Sequence, residues 1–219
     1  ERDAPCHRLR TGRFPPGRWA LVYWDESSLV FLRRSLAKHE ALIRDHEIRY
    51  FTPASSPLDS WRNLKGEARA AWVREVKEAA ARSPLLANAH LGWCLEATST
   101  GQFQAAAGAC DAALRASLAR DRFHPLEGRV RRVEVAIAQV LLGQALGRGG
   151  DASGMADRLA RAEELCPDSP EVLTAIGGGY LKDDPLKAVG YFTRALDIDQ
   201  DFALAIKGRA SALRGSGRP

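Results

Sequence analysis

Only a few positions in this sequence have the residue types and spacing that catalysis or metal binding requires. His39 and His46 are each followed by a glutamate, but on one straight helix they lie two turns apart, too far for joint metal ligation. Ser153 lies in the run GDASG, which lacks the spacing of a nucleophile elbow and is typical of a turn. The glycine-rich run at 147–150 lacks the lysine and Ser/Thr of a phosphate-binding loop. We therefore expect no catalytic residue, no metal site and no cofactor.

The four cysteines, Cys6, Cys94, Cys110 and Cys166, contain no C-x-x-C pair, which argues against a zinc site and a disulfide framework. Cys94 and Cys110 fall on two helices that the repeats described below predict to pack together, so a bridge between them is sterically open. Free cysteines acting as small core residues are the interpretation we favour. The redox compartment is left undecided on this basis.

The charge balance does not identify a partner. The chain has 32 lysines and arginines against 27 acidic residues, a net charge of +5, but its arginines are scattered rather than gathered into a basic arm. The densest basic run, at 128–132, has the spacing of a solvated helix face. We therefore expect no nucleic-acid partner. The sequence has no run of about 18 apolar residues and begins at Glu1, so we expect any membrane anchor upstream of it.

One pattern recurs in the C-terminal part of the chain: large, small and aromatic residues on one helix, then small and large residues on the next. Its two clearest copies are in register, because Gly143 and Gly177 are 34 residues apart. The pattern residues are Leu173, Ile176, Gly177, Tyr180, Ala188, Phe192 and Ala195 in the last copy; Gln139, Leu142, Gly143, Leu146, Met155, Leu159, Ala162 and Pro167 in the middle copy; and Asn88, Leu91, Gly92, Leu95, Phe103, Ala106, Cys110 and Ala113 in the first.

This pattern and its period resemble the tetratricopeptide repeat (TPR). The resemblance implies a mainly α fold, in which a solenoid of helical hairpins occupies 58–219 with repeats at about 85–118, 126–169 and 170–201. The run 71–84 resembles the second helix of a degenerate half-repeat, with Trp72, Val76 and Ala79 packed inward. Residues 203–214 are then a capping helix, whose inward positions we expect to be Ile206, Ala210 and Leu213.

Small residues are expected to set the spacing within each helix pair. A glycine or alanine on the first helix would face a small residue on the second, so that the two backbones approach closely. The stretch 115–135 is longer than a turn needs and predicts two extended helices broken at His124-Pro125, because proline cannot continue a helix that precedes it.

The segment 1–57 predicts a small α+β unit with a linker at its end. Aromatic and β-branched runs at 19–24 and 29–32 flank an acidic turn at Asp25 and predict a β-hairpin over 19–33. Helical spacing follows at 37–47, and Ile48 to Phe51 predict a third strand. A sheet of this size needs a helix to pack against.

The N-terminal segment also resembles a known arrangement. The run WALVYWD at 19–25, LVFLRR at 29–34, Glu40 with Leu42 and Ile43, and Tyr50 with Pro53 are similar to the soluble tail of bacterial polytopic membrane proteins described as glycosyltransferase-like. Those proteins carry TPRs at their C-termini. The resemblance implies a multi-span domain upstream and an extracytoplasmic location, with a cytoplasmic one as the alternative, and it carries no catalytic residue onto this chain.

A repeat array of this kind predicts a groove formed by its first helices, where a protein or peptide would bind. Helical periodicity places six residues on that face: Trp93, Gln144, Arg148, Lys182, Lys207 and Arg214. The four cations could hold an acidic segment or a C-terminal carboxylate. Alternatively, cations near helix ends compensate the macrodipole and stay solvated, and Trp93 is a core residue.

These patterns together predict a non-catalytic protein- or peptide-binding scaffold module. The alternative is an accessory domain of a membrane glycosyltransferase that positions acceptor or donor, in which the full-length parent is the enzyme. Self-association through the capping helix is a further hypothesis. The ligand, the biological process and the oligomeric state cannot be read from the sequence.

Overall fold

The computed structural model describes residues 14–25, 28–52, 56–121 and 125–216, with the backbone alone given for 120–121 and 125–131. Within these residues, a two-stranded antiparallel hairpin precedes ten α-helices. The fold is mainly helical, as expected. The chain divides into two compact units, Glu1–Trp93 and Cys94–Pro219.

The first unit contains the hairpin and the helices that cover it. Strands β1 and β2 pair with Leu21 opposite Phe31, which confirms the predicted hairpin. A short 3-10 helix, Ala37–His39, leads into α1. The bounds are β1 Trp19–Trp24, β2 Leu29–Arg33, α1 Glu40–His46, α2 Pro57–Asn63 and α3 Gly66–Arg82.

One core joins the hairpin to α3. Trp24 of β1 and Phe51 pack with Trp72 and Val76 of α3, and each is at most 5% exposed. The predicted inward face of the half-repeat, Trp72, Val76 and Ala79, is therefore confirmed. Because this helix completes the core of the hairpin, it belongs to the same unit.

Residues 48–51 do not form the third strand that their composition predicts. The backbone amides of Arg49, Tyr50 and Phe51 donate to the carboxylate of Glu75 on α3, at 2.9, 2.9 and 2.7 Å. An added strand would instead donate alternate backbone amides to its neighbouring strand. The backbone hydrogen bond that joins this stretch to β1 runs from the amide of Ile48 to the carbonyl of Leu21, at 2.8 Å.

The second unit is built from helices in antiparallel pairs, and its first helix, α4, starts in the first unit. Helices α5 and α6 have 19 and 24 residues, which confirms two extended helices. His124 lies outside the described residues. The bounds are α4 Ala87–Ser99, α5 Phe103–Asp121, α6 Pro125–Arg148, α7 Ala152–Leu165, α8 Pro170–Tyr180, α9 Pro185–Ile198 and α10 Ala203–Gly215.

Two of the turns between paired helices have the same hydrogen-bond pattern. The amide of Gln102 donates to the carbonyl of Ala97 after α4, and the amide of Asp151 donates to that of Leu146 after α6. Each turn contains a glycine with positive φ, at +75° for Gly101 and +91° for Gly150. Glycine adopts this left-handed conformation without the steric cost of a Cβ. The turn after α8 lacks this pattern, because the amide of Asp184 donates to the carbonyl of Tyr180, four residues back rather than five.

Candidate functional site

The first helices of successive pairs in the second unit lie side by side. Helix α6 contacts α8, and α8 contacts α10. The side-chain amide of Gln144 on α6 donates to the backbone carbonyl of Ala175 on α8, at 3.3 Å. Short turns make consecutive helices antiparallel, so these alternate helices run parallel and their C-terminal ends fall at one end of the layer.

Four of the predicted groove residues are exposed cations in this layer. Arg148 is the last residue of α6, and Lys182 follows the end of α8 by two residues. Lys207 and Arg214 lie on α10, where the guanidinium of Arg214 donates to the Ser211 hydroxyl at 3.3 Å. None of the four enters an ion pair with a residue that the structure describes. We call Arg148, Lys182, Lys207 and Arg214 the cation row.

Trp93, the sixth predicted groove residue, belongs to the first unit. Its indole packs half-buried against the core around Trp72 and Val76. The ammonium of Lys77 lies 4.0 Å from the centre of its ring, in the geometry of a cation–π contact. These contacts agree with the alternative interpretation, in which the indole is a core residue.

A polar cluster that the sequence did not predict connects α7 with α8 and α9. Tyr191 donates its hydroxyl proton to Glu163 at 2.6 Å, and Arg194 reaches the other carboxylate oxygen at 2.5 Å. The ring of Tyr191 stacks on Tyr180, with centroids 5.8 Å apart. Lys187 in turn lies 4.0 Å above Tyr180.

This cluster sets the protonation of its members. Burial by itself raises the pKa of Glu163, but the hydrogen bonds from Tyr191 and Arg194 outweigh it and lower the pKa. Burial and the bond donated to Glu163 both raise the pKa of the Tyr191 phenol. Each group therefore stays in the protonation state that its hydrogen bond requires, and the cluster fixes the packing of neighbouring pairs.

A second unpredicted cluster joins α5, α6 and α7. Arg158, whose side chain is 11% exposed, donates to Asp111 at 2.8 Å and to the side-chain oxygen of Gln139 at 3.1 Å. Arg161 reaches the same Asp111 oxygen at 3.2 Å. The partners are 19 to 50 residues apart in the chain, so helical periodicity gives no signal for them.

Cys94 and Cys110 form a disulfide between α4 and α5, with Cα atoms 5.1 Å apart. The interpretation of both as free core cysteines is therefore wrong, although both are fully buried as core residues would be. Helix packing brings the two positions within bridging distance, which spacing alone does not determine. Cys166 is half-buried and is not part of this bridge.

The glycines of the repeat pattern contact larger partners than expected. A Cβ on Gly177 would lie 3.0 Å from the Phe192 ring, and one on Gly92 would lie 3.2 Å from both Trp72 and Val76 on α3. The expected contact between two small residues is thus wrong at Gly177, which faces the second helix of its pair. A glycine there makes room for a large side chain.

Helix α10 buries a different face from the one its apolar pattern predicts. Its buried residues are Ala205 and Ala212, and between them a Cβ on Gly208 would overlap the Phe192 ring of α9. Ile206 is 46% exposed, Ala210 is exposed and Leu213 is half-buried. The inward assignment of these three residues is wrong because small residues let α10 approach the aromatic ring of α9 more closely.

The first unit has one further surface feature, a cleft of about 630 Å³ between β1, α1 and α3. Arginines and carboxylates line it in similar number. Glu47 is bound by Arg34 and by Arg49, and Glu75 accepts the three backbone amides described above. Burial raises the pKa of Glu47, but the two arginines outweigh it and lower the pKa. These carboxylates are therefore engaged in holding the fold.

His39 and Ser153, the candidates for chemistry, have local structural roles. A ring nitrogen of His39 lies 3.1 Å from the carbonyl of Arg33. Ser153 is in the first turn of α7, next to Asp151, whose carboxylate caps the helix by accepting the amide of Gly154 at 2.7 Å. The described residues contain no cluster of three or more potential metal ligands.

The class of protein that this fold defines is a helical-repeat array with a β-hairpin unit at its N-terminal end. No protein-family model matches the sequence, and no curated protein matches it either. In the part of the chain that the structure describes, no helix has the length and apolarity needed to cross a bilayer.

Proposed function

We propose that this chain is a TPR-type scaffold module that binds a protein or peptide carrying an acidic segment. The observation that carries the proposal is the cation row. Three parallel first helices lie in one layer, and exposed cations stand at or near the C-terminal end of each. Spacing of this kind suits a chain of carboxylates or a free C-terminal carboxylate.

The TPR assignment itself is part of the proposal. Gly143 and Gly177, which are 34 residues apart, occupy equivalent places in their helices, each packed against the second helix of its pair. The matching turns at Gly101 and Gly150 support the same repeat unit. We also propose an oxidising, extracytoplasmic location, which the Cys94–Cys110 disulfide supports because such bonds persist mainly outside the cytosol.

Charge reversal in the row tests the binding proposal. The probe is a fluorescent, unstructured peptide rich in aspartate and glutamate with a free C-terminal carboxylate, and its affinity is measured by fluorescence anisotropy at low salt. We expect Arg148→Glu with Lys182→Glu to weaken binding about tenfold or more, because two attractive contacts become repulsive. Neither side chain forms an ion pair with a described residue, so the melting temperature should stay unchanged.

The matched control makes the same change of charge at two exposed arginines elsewhere, Arg62 and Arg115. Equal losses in both double variants would mean that net charge alone attracts the probe, and this result would overturn the proposed site. Unchanged affinity in the Arg148→Glu, Lys182→Glu variant would overturn it as well.

A further inference from the structure

Helix α10 presents a second face with a regular pattern of its own. Taking Ile206 and Leu213 as d positions of a heptad, Ala203 and Ala210 fall at a positions. These four apolar residues form a seam along one side of the helix, and three of them are exposed. We call Ala203, Ile206, Ala210 and Leu213 the α10 seam.

The α10 seam is separate from the face that packs on the rest of the protein. The buried contacts with α9 are made by Ala205, Gly208 and Ala212, which fall at c and f positions. The helix therefore uses one side to join the array and leaves a coiled-coil-like side open. Apolar residues at a and d positions are those that a second helix covers.

The charges that border the α10 seam are all positive. The e and g positions of this heptad are Lys207, Arg209 and Arg214, together with Ser216, and α10 has no acidic residue. Residues at e and g pair across a helix–helix interface and select the partner. The nearest acidic residues, Asp199 and Asp201, precede the helix and lie outside the seam.

We infer that the α10 seam binds an amphipathic helix of a partner protein, with apolar residues at its a and d positions and glutamates or aspartates at its e and g positions. Charge excludes α10 of a second copy as the occupant, because parallel and antiparallel pairing both place cations against cations.

This surface goes beyond the binding proposed for the cation row. It shares Lys207 and Arg214 with the row, but the apolar contacts are its own and it does not need Arg148 or Lys182. The two proposals can therefore fail independently.

A designed peptide of about 18 residues tests the inference, with leucine at a and d and glutamate at e and g. A second peptide has lysine in place of every glutamate. Fluorescence anisotropy gives the affinity of the full chain for each, and circular dichroism verifies that every variant is folded. We expect the glutamate peptide to bind about tenfold or more tightly than the lysine peptide.

Variants of the seam and its flanks provide the decisive comparison. Ile206→Asp with Leu213→Asp should reduce binding of the glutamate peptide about tenfold or more, because it places charge in the apolar contact. Leu204→Asp is the matched control: Leu204 is 64% exposed but falls at a b position, so binding should not change. Lys207→Glu with Arg214→Glu should reverse the preference toward the lysine peptide.

Four results would overturn the inference. The first is that the glutamate peptide does not bind, and the second is that the Ile206→Asp, Leu213→Asp variant binds it as well as the wild type does. The third is that the Lys207→Glu, Arg214→Glu variant still prefers the glutamate peptide. The fourth is that light scattering shows a dimer of the wild type that the double aspartate variant does not form. The last would mean that a second copy covers the seam. Arg148→Glu with Lys182→Glu should leave this binding within about twofold, which separates failure here from failure of the cation-row proposal.

Discussion

At the scale of single residues, Phe192 organises the end of the repeat array. Its ring lies against both Gly177 of α8 and Gly208 of α10. Both contacts depend on the absence of a Cβ, so the ring has no room to retreat. Interiors packed this closely resist the addition of even one methyl group.

Replacing either of two adjacent glycines of α8 by alanine should therefore change the free energy of unfolding in opposite directions. Gly177→Ala should lower the free energy of unfolding by about 1–3 kcal/mol, because its methyl group would press on the confined Phe192 ring. Gly178→Ala should raise it by up to about 1 kcal/mol, because Gly178 is exposed, a Cβ there meets nothing within 4 Å, and alanine favours the helix. Urea denaturation of both variants checks the signs. Destabilisation by both would contradict the packing of Phe192.

The lowered pKa of Glu163 predicts how the free energy of unfolding changes in acid. The folded protein lowers this pKa below the ordinary 4.5, so the unfolded chain binds the proton more readily. The stabilisation from the ionised Glu163 is therefore complete at a pH above its pKa in the unfolded chain. It is lost as the pH falls through the pKa of Glu163 in the folded protein. Glu163→Gln should cost about 1–2 kcal/mol at neutral pH, and this difference from wild type should shrink in acid.

Urea denaturation between neutral pH and the acid range measures this difference. The control is Glu164→Gln, because Glu164 is the exposed neighbour on the same helix and no hydrogen bond to it is recorded among the described residues. Its effect on the free energy of unfolding should be small. A cost of Glu163→Gln that stays constant down to the acid limit would show that the carboxylate charge does not matter to the cluster.

At the scale of elements, helical periodicity predicted the repeat helices well, and the aromatic and β-branched runs predicted the hairpin. Both patterns depend on neighbours a few residues apart. The second helix of each pair begins after a capping aspartate or a glycine turn that is visible in the sequence. The prediction of a strand at residues 48–51 was wrong because their hydrogen-bond partner, Glu75, lies on a helix 24 to 26 residues away. A strand and a stretch bound by a carboxylate look the same in the sequence.

The prediction of which face of the capping helix, α10, is buried was wrong for a different physical reason. Helix α10 has two faces that could be buried, one of large apolar residues and one of small ones. Hydrophobicity favours the first, whereas close approach to Phe192 requires the second. The sequence prediction assumed that the largest apolar side chains of the helix are the buried ones. It contained no information on the shape of α9. The same limit applies to the candidate site: the cations could be placed on their helices, but the Glu163 and Asp111 clusters are formed between distant helices.

At the scale of the whole molecule, the Cys94–Cys110 disulfide connects stability to the compartment in which the protein works. Both sulfurs are buried in a bridge that closes a loop of 16 residues. Loop closure of this length contributes about 3 kcal/mol by restricting the unfolded chain. In an oxidising compartment that stabilisation is always present, whereas a reducing one removes it.

The bond can be tested directly on protein isolated from its native cells with thiols blocked at lysis. Trypsin leaves both cysteines in one peptide, Ser83–Arg115, because no lysine or arginine lies between Arg82 and Arg115. We expect this peptide to be unalkylated and lighter by two hydrogens. Cys94→Ala with Cys110→Ala should lower the free energy of unfolding by about 3 kcal/mol, and reductant should no longer affect it. Cys166→Ala, which leaves the Cys94–Cys110 bridge in place, should retain the full effect of reductant. Complete alkylation of Cys94 and Cys110 in the native protein would contradict an extracytoplasmic location while leaving both binding proposals open, because neither the cation row nor the α10 seam includes these helices.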